Sequence, residues 1–519
     1  MTKRFVLGVD SGTSLVKVLL ADLEGNELGV SVESTPVETP RPGWSEFDLI
    51  EDWNSVAKAI RAVLAKNGVD PDEILAVGVT GKGWGCCFLG KDGRPARKGI
   101  LWNDARAADY IEHWASDGTL SEAYRISGNY YYSGDCAPVT RWVVDNEPEV
   151  VAQTESILFP PASIVFQLTG NIKLCHGDVP SLVDIRRKTY SKEIFDLFGI
   201  SGLRQKFPLP TSSSQIAGQV TREASAATGL KEGTPVVLAE CDVSSCATGL
   251  GVMDDGEVGI IVGTAHVVSI CQAGPTFGPE TGTLTVLLPY VDGKYLKLTG
   301  PSIATPNLDW YVDNFGEADR IEAAKEGMPL YDYLDSRLMQ IPPGCDGIVY
   351  HPYLSPGGER APIRKPTAKG NFFGLDLHHS RHHLLRSIYE GVAFSALDCV
   401  QASKVELKEI ALSGGGSKSG VWCQIEADIM GCPVKVPAGA EHGARGAIIT
   451  TMVAMGIYPS YQTAIGALVK TDRTYEPNLK KHQVYQQIFD LYRNIRTHLM
   501  DDWDHRAVIL ADMVAERAS

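Results

Sequence analysis

No stretch of about 18 uninterrupted apolar residues occurs in this 519-residue chain, so nothing in it reads as a membrane span. The opening apolar run is too short for a signal peptide and stops at the carboxylate of Asp10. Positive charge is in deficit: 48 Lys and Arg stand against 63 Asp and Glu, a formal charge of −15. Such a chain repels a nucleic-acid backbone and an anionic membrane, and neither is expected as a partner. The 11 cysteines are odd in number, show no C-x-x-C spacing, and include the adjacent pair Cys86 and Cys87, which suits neither zinc nor redox chemistry. Reduced, buried thiols in a soluble cytoplasmic protein are the expectation. A Walker A loop is also missing.

What is present is ordinary soluble composition, 44% hydrophobic and 21% charged, in a chain long enough for two to four domains. Residues 5–10 read as a buried strand ending in the turn Ser11-Gly12-Thr13-Ser14, and Leu15 to Ala21 as its hairpin partner. Helical spacing follows over Asp48 to Asn67, with Leu49, Trp53, Val56, Ile60, Val63 and Leu64 on one stripe, and residues 74–80 return to a strand. This alternation predicts an α/β sheet packed by helices. A second copy of the opening appears at 256–264, a buried strand running into Gly263-Thr264, with another strand over Val267 to Cys271. Repetition at half the chain length predicts two related domains, 1–252 and 253–519, divided at the loop-like 249–256. The tail from His482 to about Val514 reads as a long helix packed on the second domain.

Two turns carry chemistry. Asp10-Ser-Gly-Thr-Ser14 places a carboxylate at a strand end before a small-residue turn, where amides and hydroxyls can cradle phosphate and Asp10 can hold hydrated magnesium. An ordinary hairpin turn explains the same residues, but a second such turn at Gly263-Thr264 favours a clamped triphosphate. Ser413-Gly-Gly-Gly-Ser-Lys-Ser419 lies between a strand at 410–412 and a helix starting near Gly420, the setting in which an amide-lined turn meets a nucleotide. A plain tight turn remains the alternative there.

Four segments in order resemble the FGGY family of carbohydrate kinases, within the larger actin, hexokinase and heat-shock chaperone ATPase fold. They are Gly8-Val-Asp-Ser-Gly-Thr13, Trp102-Asn-Asp104-Ala-Arg106, Pro356-Gly-Gly-Glu-Arg-Ala-Pro362 leading to Gly370, and Ser413-Gly-Gly-Gly-Ser417 continuing through Trp422 and Asp428 to Gly443. The resemblance implies an α/β protein of two RNase H-like domains with an active-site cleft between them. Sugar would bind mainly on the first domain and ATP mainly on the second.

By the same resemblance Asp242 is the catalytic base, a role that suits a carboxylate taking the proton of an attacking hydroxyl, and it shares magnesium with Asp10. Ser11, Gly12, Thr13, Ser14, Gly263 and Thr264 would face the phosphates, and Gly414, Gly415, Gly416 and Ser417 the adenosine side. Trp102, Asp104 and Arg106 would line the sugar site as an aromatic face, an acceptor and a forked donor. Lys82-Gly83-Trp84 departs from the Gln-x-His element usual in pentulose kinases, so Lys82 is expected either to meet a ligand oxygen beside Gly83 or to lie in solvent. Thr305 and Pro306 stand where many relatives place glycine near the nucleotide, and Asn307-Leu-Asp-Trp310 is similar to the L-xylulose kinase branch. His266 follows the second turn and is expected to be structural or to touch phosphate.

The expected activity is therefore Mg-ATP-dependent phosphorylation of a primary hydroxyl of a small ketose, xylulose or L-xylulose first, by a homodimer as is the family's habit. An alditol such as erythritol, or a sugar acid, is the rival substrate, with Lys82 as the discriminating feature. A chaperone-like or polymerising ATPase would not need Trp102, Asp104 and Arg106 ahead of Asp242, and a non-catalytic sensor would be expected to lose Asp242.

Overall fold

The structure is a computed structural model describing residues 3–277 and 285–518, so Met1 and Thr2 of the opening run lie outside it. Two mixed sheets organise the chain. In the first, β1 (Phe5–Ser11), β2 (Leu15–Asp22) and β3 (Glu27–Ser34) form an antiparallel meander. Helix α1 (Leu49–Asn67) leads to β4 (Ile74–Gly81), which runs parallel to β1, and β5 (Ile216–Gln219) and β6 (Pro235–Leu238) complete the order β5-β6-β4-β1-β2-β3. Helix α2 (Asp242–Leu250) then crosses to the second sheet. There β7 (Glu257–Val262) and β8 (His266–Gln272) repeat the opening hairpin, followed by β9 (Val286–Pro289) and β10 (Tyr295–Thr299). Helices α3 (Pro306–Phe315) and α4 (Arg381–Ala402) precede β11 (Glu409–Ser413), α5 (Gly420–Met430), β12 (Val434–Pro437) and α6 (His442–Ala454). Helix α7 (Tyr461–Leu468), β13 (Thr471–Tyr475) and the long α8 (Leu479–Ala518) end the chain.

The second sheet has the order β9-β10-β8-β7-β11-β12-β13. Apart from the added β9 it repeats the first: a hairpin, two strands parallel to its first member, and an antiparallel edge. The duplication legible in the turns is thus a duplication of topology. Both repeats form for local reasons. The inner strands are apolar on both faces, as parallel strands covered by helices must be, with Val6, Leu7, Val9, Val258 and Ile260 fully buried.

Helix α1 starts one residue later than the spacing suggests, because Asp48 has extended backbone and caps the helix, accepting from Ile50 N at 2.8 Å and Glu51 N at 3.2 Å. Gly68 ends it at φ 61°, a left-handed turn that glycine takes without strain. Its stripe of Val56, Ile60, Val63 and Leu64 packs into the first core, each side chain contributing about 1.5–3 kcal/mol as an upper bound.

Between the sheets lies a third core that the chain order does not suggest. Val6, Leu19 and Ala21 from the first sheet and Cys271, Leu296 and Leu298 from the second enclose Ala247 and Leu250 of α2 and Ala444, Ile448 and Met452 of α6. Helix α6, from the second half of the chain, therefore packs on the first sheet, across the linear division at 252. The packing is backbone against backbone. A Cβ at Gly8 would collide with the Ala444 carbonyl, one at Gly78 with the Ala447 carbonyl, one at Gly249 with that of His442, and one at Gly446 with that of Ser245. All 11 cysteines are free, and ten of them are buried. Among the described residues no helix is long and apolar enough to cross a membrane.

Gly446→Ala forces a methyl into the α2 backbone and is expected to cost about 3 kcal/mol. Gly466→Ala on α7, where a Cβ meets nothing within 4 Å, is expected to be neutral or to stabilise by up to about 1 kcal/mol. Thermal midpoints of the two variants check the contrast, and equal midpoints would contradict the packing described.

Candidate active site

The inner strands of the first sheet end together, and the residues just past those ends converge. Asp10 and Ser11 close β1, the turn Gly12 to Ser14 follows, and Lys82 and Gly83 continue β4. Asp242 is the first residue of α2, after β6. Its carboxylate accepts from the Val243 amide at 2.8 Å, faces the Gly83 amide, and lies close enough to Asp10 for the two charges to repel. Asp10 in turn rests on the first turn of α6, where a Cβ on Gly443 would run into its carboxylate. Opposite the turn, the Trp102 indole N–H donates to Thr13 Oγ1 at 3.1 Å, leaving a ring 39% exposed.

Burial dominates the electrostatics of this cluster. It raises the Asp10 carboxyl to about 6, with Lys17 pulling down and Glu441 pushing up. Burial, then repulsion by Asp10, raises Asp242 to about 7. Two further buried acids stand behind them, Glu240 at about 7 and Asp178 at about 8, both raised by burial first. These residues fit a divalent cation. Asp10 Oδ1 is buried without a partner, no side chain of residue 443 intrudes, and a positive charge would relieve the repulsion between the two carboxylates.

A second group assembles on the other sheet. Thr305 N donates to Gly263 O at 2.9 Å and Ala304 N to Thr264 O at 3.2 Å, which ties the β7–β8 turn to the start of α3. A Cβ on Gly415 would meet the Thr305 methyl at 3.7 Å, and Gly414, at φ 90°, lies on the Val262 carbonyl. Gly263, Thr264, Thr305, Gly414 and Gly415 are thus neighbours. Gly416 is pressed on Val262, and the Ser417 hydroxyl donates to Gly414 O at 2.8 Å, so that side chain closes its own turn. No hydrogen bond or ion pair links this group to the first among the described residues.

Lys82, Asp104, Arg106 and His266 are all buried. Lys82 neither reaches solvent nor offers a free cation: its side chain is 0% exposed and its ammonium sits 2.8 Å from Asp52. Asp104 and Arg106 are likewise enclosed. Asp104 accepts from Ser45 N at 2.6 Å, from Arg106 N at 2.8 Å and from the guanidinium at 2.9 Å. That guanidinium also binds Glu46 at 2.7 Å and lies 4.0 Å from the Trp44 ring. The pair braces the loop that presents Trp102, and breaking such a buried pair costs about 3–5 kcal/mol. His266 is fully buried, both ring nitrogens lack partners, and burial lowers it to about 3, so it is a neutral core residue.

Two residues at this end were not anticipated. Asp52 is the acid that absorbs Lys82, and its only sequence signal is a carboxylate on the buried stripe of α1, three residues after Leu49. Tyr132, whose phenol burial and then Asp135 raise and which Asp242 also influences, borders the base, yet in the run Tyr130-Tyr131-Tyr132 nothing singles it out.

Comparison with known proteins agrees with this layout. The N-terminal domain of the FGGY family of carbohydrate kinases matches residues 5–249 and the C-terminal domain matches residues 260–455. The chain is 29% identical over 504 residues to the L-xylulose/3-keto-L-gulonate kinase of Escherichia coli K12, covering 95% of this chain and 96% of that protein. It is 29% identical over 501 residues to a probable L-xylulose kinase of Haemophilus influenzae, covering 94% and 97%. The crystal structure of xylulose kinase from Rhodospirillum rubrum superposes with a TM-score of 0.85 at 25% identity, covering 96% of this chain and all of that one.

The raised carboxyls set a pH dependence. Asp10 and Asp242 bind protons more tightly folded than unfolded, so their contribution to stability is complete below about pH 4 and is lost as pH rises through about 6 to 7. A cation that binds the ionised pair offsets that loss. Magnesium with ATP is therefore expected to raise the thermal midpoint by several degrees more at pH 8 than at pH 5.5. An equal rise at both pH values would count against the pair as the metal site.

Proposed function

The chain belongs to the FGGY family of carbohydrate kinases, and we propose that it transfers the γ-phosphoryl group of ATP to a primary hydroxyl of a neutral ketopentose, L-xylulose or xylulose. The observation that carries the reading is the carboxylate pair. Asp242, at the start of α2 and lifted to about 7 by burial and by Asp10, is a base poised near neutral pH. Trp102 offers the sugar an apolar face at the same strand ends, its ring fixed through Thr13 and through the Asp104–Arg106 brace below it.

In the proposed reaction Asp242 orients the attacking hydroxyl and accepts its proton as the new O–P bond forms and the bond to ADP breaks. The amides of Thr13 on one sheet and of Thr264 on the other hold the phosphates, while those of Gly12 and Gly263 close their own turns on Leu15 O and Ala265 O. The Gly414–Gly415 turn takes the nucleoside side. A magnesium ion held by Asp10 and Asp242 would supply positive charge to the phosphate oxygens. Because water competes for the same phosphoryl group, the residues of the two sheets must close on the substrates before transfer, and the shared α2–α6 core is the natural pivot.

A neutral substrate is favoured over a sugar acid by what has happened to the cations. Lys82 is neutralised by Asp52, and Arg106 by Asp104 and Glu46, so neither offers a carboxylate an unpaired charge. The segment Asn307-Leu-Asp-Trp310 and the names of the two relatives above support the L-form. A cytoplasmic homodimer completes the proposal, on the family's habit alone.

The test is ADP release from Mg-ATP with D- and L-xylulose, D- and L-ribulose, erythritol, glycerol, xylitol, arabitol and gluconate. A ketopentose is expected to give the highest kcat/KM, and preferred turnover of gluconate would sink the neutral-substrate reading. With the preferred sugar, Asp242→Asn is expected to lower kcat by at least about 10²-fold with ATP binding largely kept. A variant with near-normal kcat would remove Asp242 as the base.

A further inference from the structure

We propose that Lys82 is a positioning residue: its ammonium, locked inside the protein, holds the Ser11–Gly12 turn and the Gly83 amide in place against Asp242. The proposal rests on the kinase reading above for its kinetic readout only.

A lysine ammonium has three donors, and here each has an oxygen. Nζ lies 2.8 Å from Asp52 Oδ1, 3.2 Å from Ser11 Oγ and 3.4 Å from Gly12 O, and 4.6 Å from the Phe47 ring. The Ser11 hydroxyl donates onward to Asp52 at 3.1 Å. The Lys82 main-chain N–H also donates to Ser11 O at 2.9 Å, extending the β1–β4 ladder by one bond beyond its last pair. One side chain thus ties the end of β1, the end of β4 and the first turn of α1 together.

The residues around it show why such a tie is needed. In Gly81-Lys82-Gly83-Trp84-Gly85, only Lys82 and Trp84 have side chains with which to anchor the segment. Trp84 takes φ 58°, a left-handed conformation that a bulky residue rarely adopts and that persists only where the surroundings over-determine it. The Gly83 amide, between the anchored lysine and the strained tryptophan, faces the Asp242 carboxylate, and a Cβ on Gly83 would meet Cys241 at 3.4 Å. An apolar plug could fill the volume of Lys82. It could not aim three bonds at the two chain segments and the helix that must stay in register.

The competing explanation is that Lys82 only neutralises Asp52. The charge-neutral double variant Lys82→Met/Asp52→Asn separates the two, whereas Lys82→Met alone strands a buried carboxylate and can cost the fold. For a positioning residue, the double variant is expected to melt within a few degrees of the parent. It is then expected to lose about 10²-fold in kcat on L-xylulose, or on whichever panel sugar is turned over, with the sugar KM changed less than about threefold. Parental kcat in the folded double variant overturns the proposal.

Should the double variant fail to fold, Phe47→Leu, which strands no charge, decides. It is expected to lower kcat about fivefold at unchanged sugar KM, because the ring fixes the ammonium from one side. Parental kcat there overturns the proposal. If no sugar is turned over even by the parent, the kinase reading fails separately and calorimetry with MgATP takes over. About tenfold weaker binding by the folded variant supports the positioning role, and unchanged binding overturns it.

Discussion

Everything at the strand ends depends on how closely α2 and α6 cross. Their backbones touch because Gly249 and Gly446 have no side chains, and α6 lies equally close on the first sheet over Gly8 and Gly78. That crossing sets where the first residues of both helices sit. Asp242 heads one, and Gly443, in the first turn of the other, receives the Asp10 carboxylate. A wider crossing would let water reach Asp242 and loosen its contact with Asp10, weakening first the burial and then the repulsion that lift the base. Packing inside proteins leaves little slack for such a change, since interiors are filled to crystal density. The same crossing joins the two halves, so any closing motion between the sheets must turn on it.

Burial at this site works against ionised carboxylates and leaves the cations already paired. Asp10, Asp178, Glu240 and Asp242 are all raised by loss of water. Lys82 and Arg106 each meet an acid inside the protein. The result is a cluster of acids with unmet demand for positive charge and no unpaired lysine or arginine from these positions to meet it. That balance suits ligands which bring their own metal, as a nucleoside triphosphate does, and a sugar without charge.

Much of the architecture was legible from short windows. The hairpin over residues 5–21 and its echo over 256–271 stand out because apolar strands and small-residue turns are set by neighbours in sequence. The stripe of α1 could be read for the same reason, although its first residue, Asp48, turned out to be the cap. Less of the site was legible. The bond from Trp102 to Thr13 joins positions 89 residues apart and left no trace in the sequence. Asp104 and Arg106 have the chemistry of sugar ligands, yet both Asp104 oxygens and the Arg106 Nε and Nη2 are spent on Ser45, on Glu46 and on each other, and only Arg106 Nη1 has no partner. Lys82 looked like a ligand contact because Asp52, thirty residues earlier, reads as one more helix charge. The exchange of α6 onto the first sheet was invisible, because a helix with glycine at 443 and 446 carries no mark of which sheet it covers.

The amino-acid order by itself determined the elements, the duplication of the half-chains and the chemical character of the turns, since these follow from periodicity and from hydrogen bonds made within a few residues. Only the tertiary structure decided which polar groups remain available. A carboxylate or an ammonium can be satisfied by any partner that packing brings within about 3 Å, and partners such as Asp52 with Lys82, or Ser45 with Asp104, lie 30 and 59 positions apart.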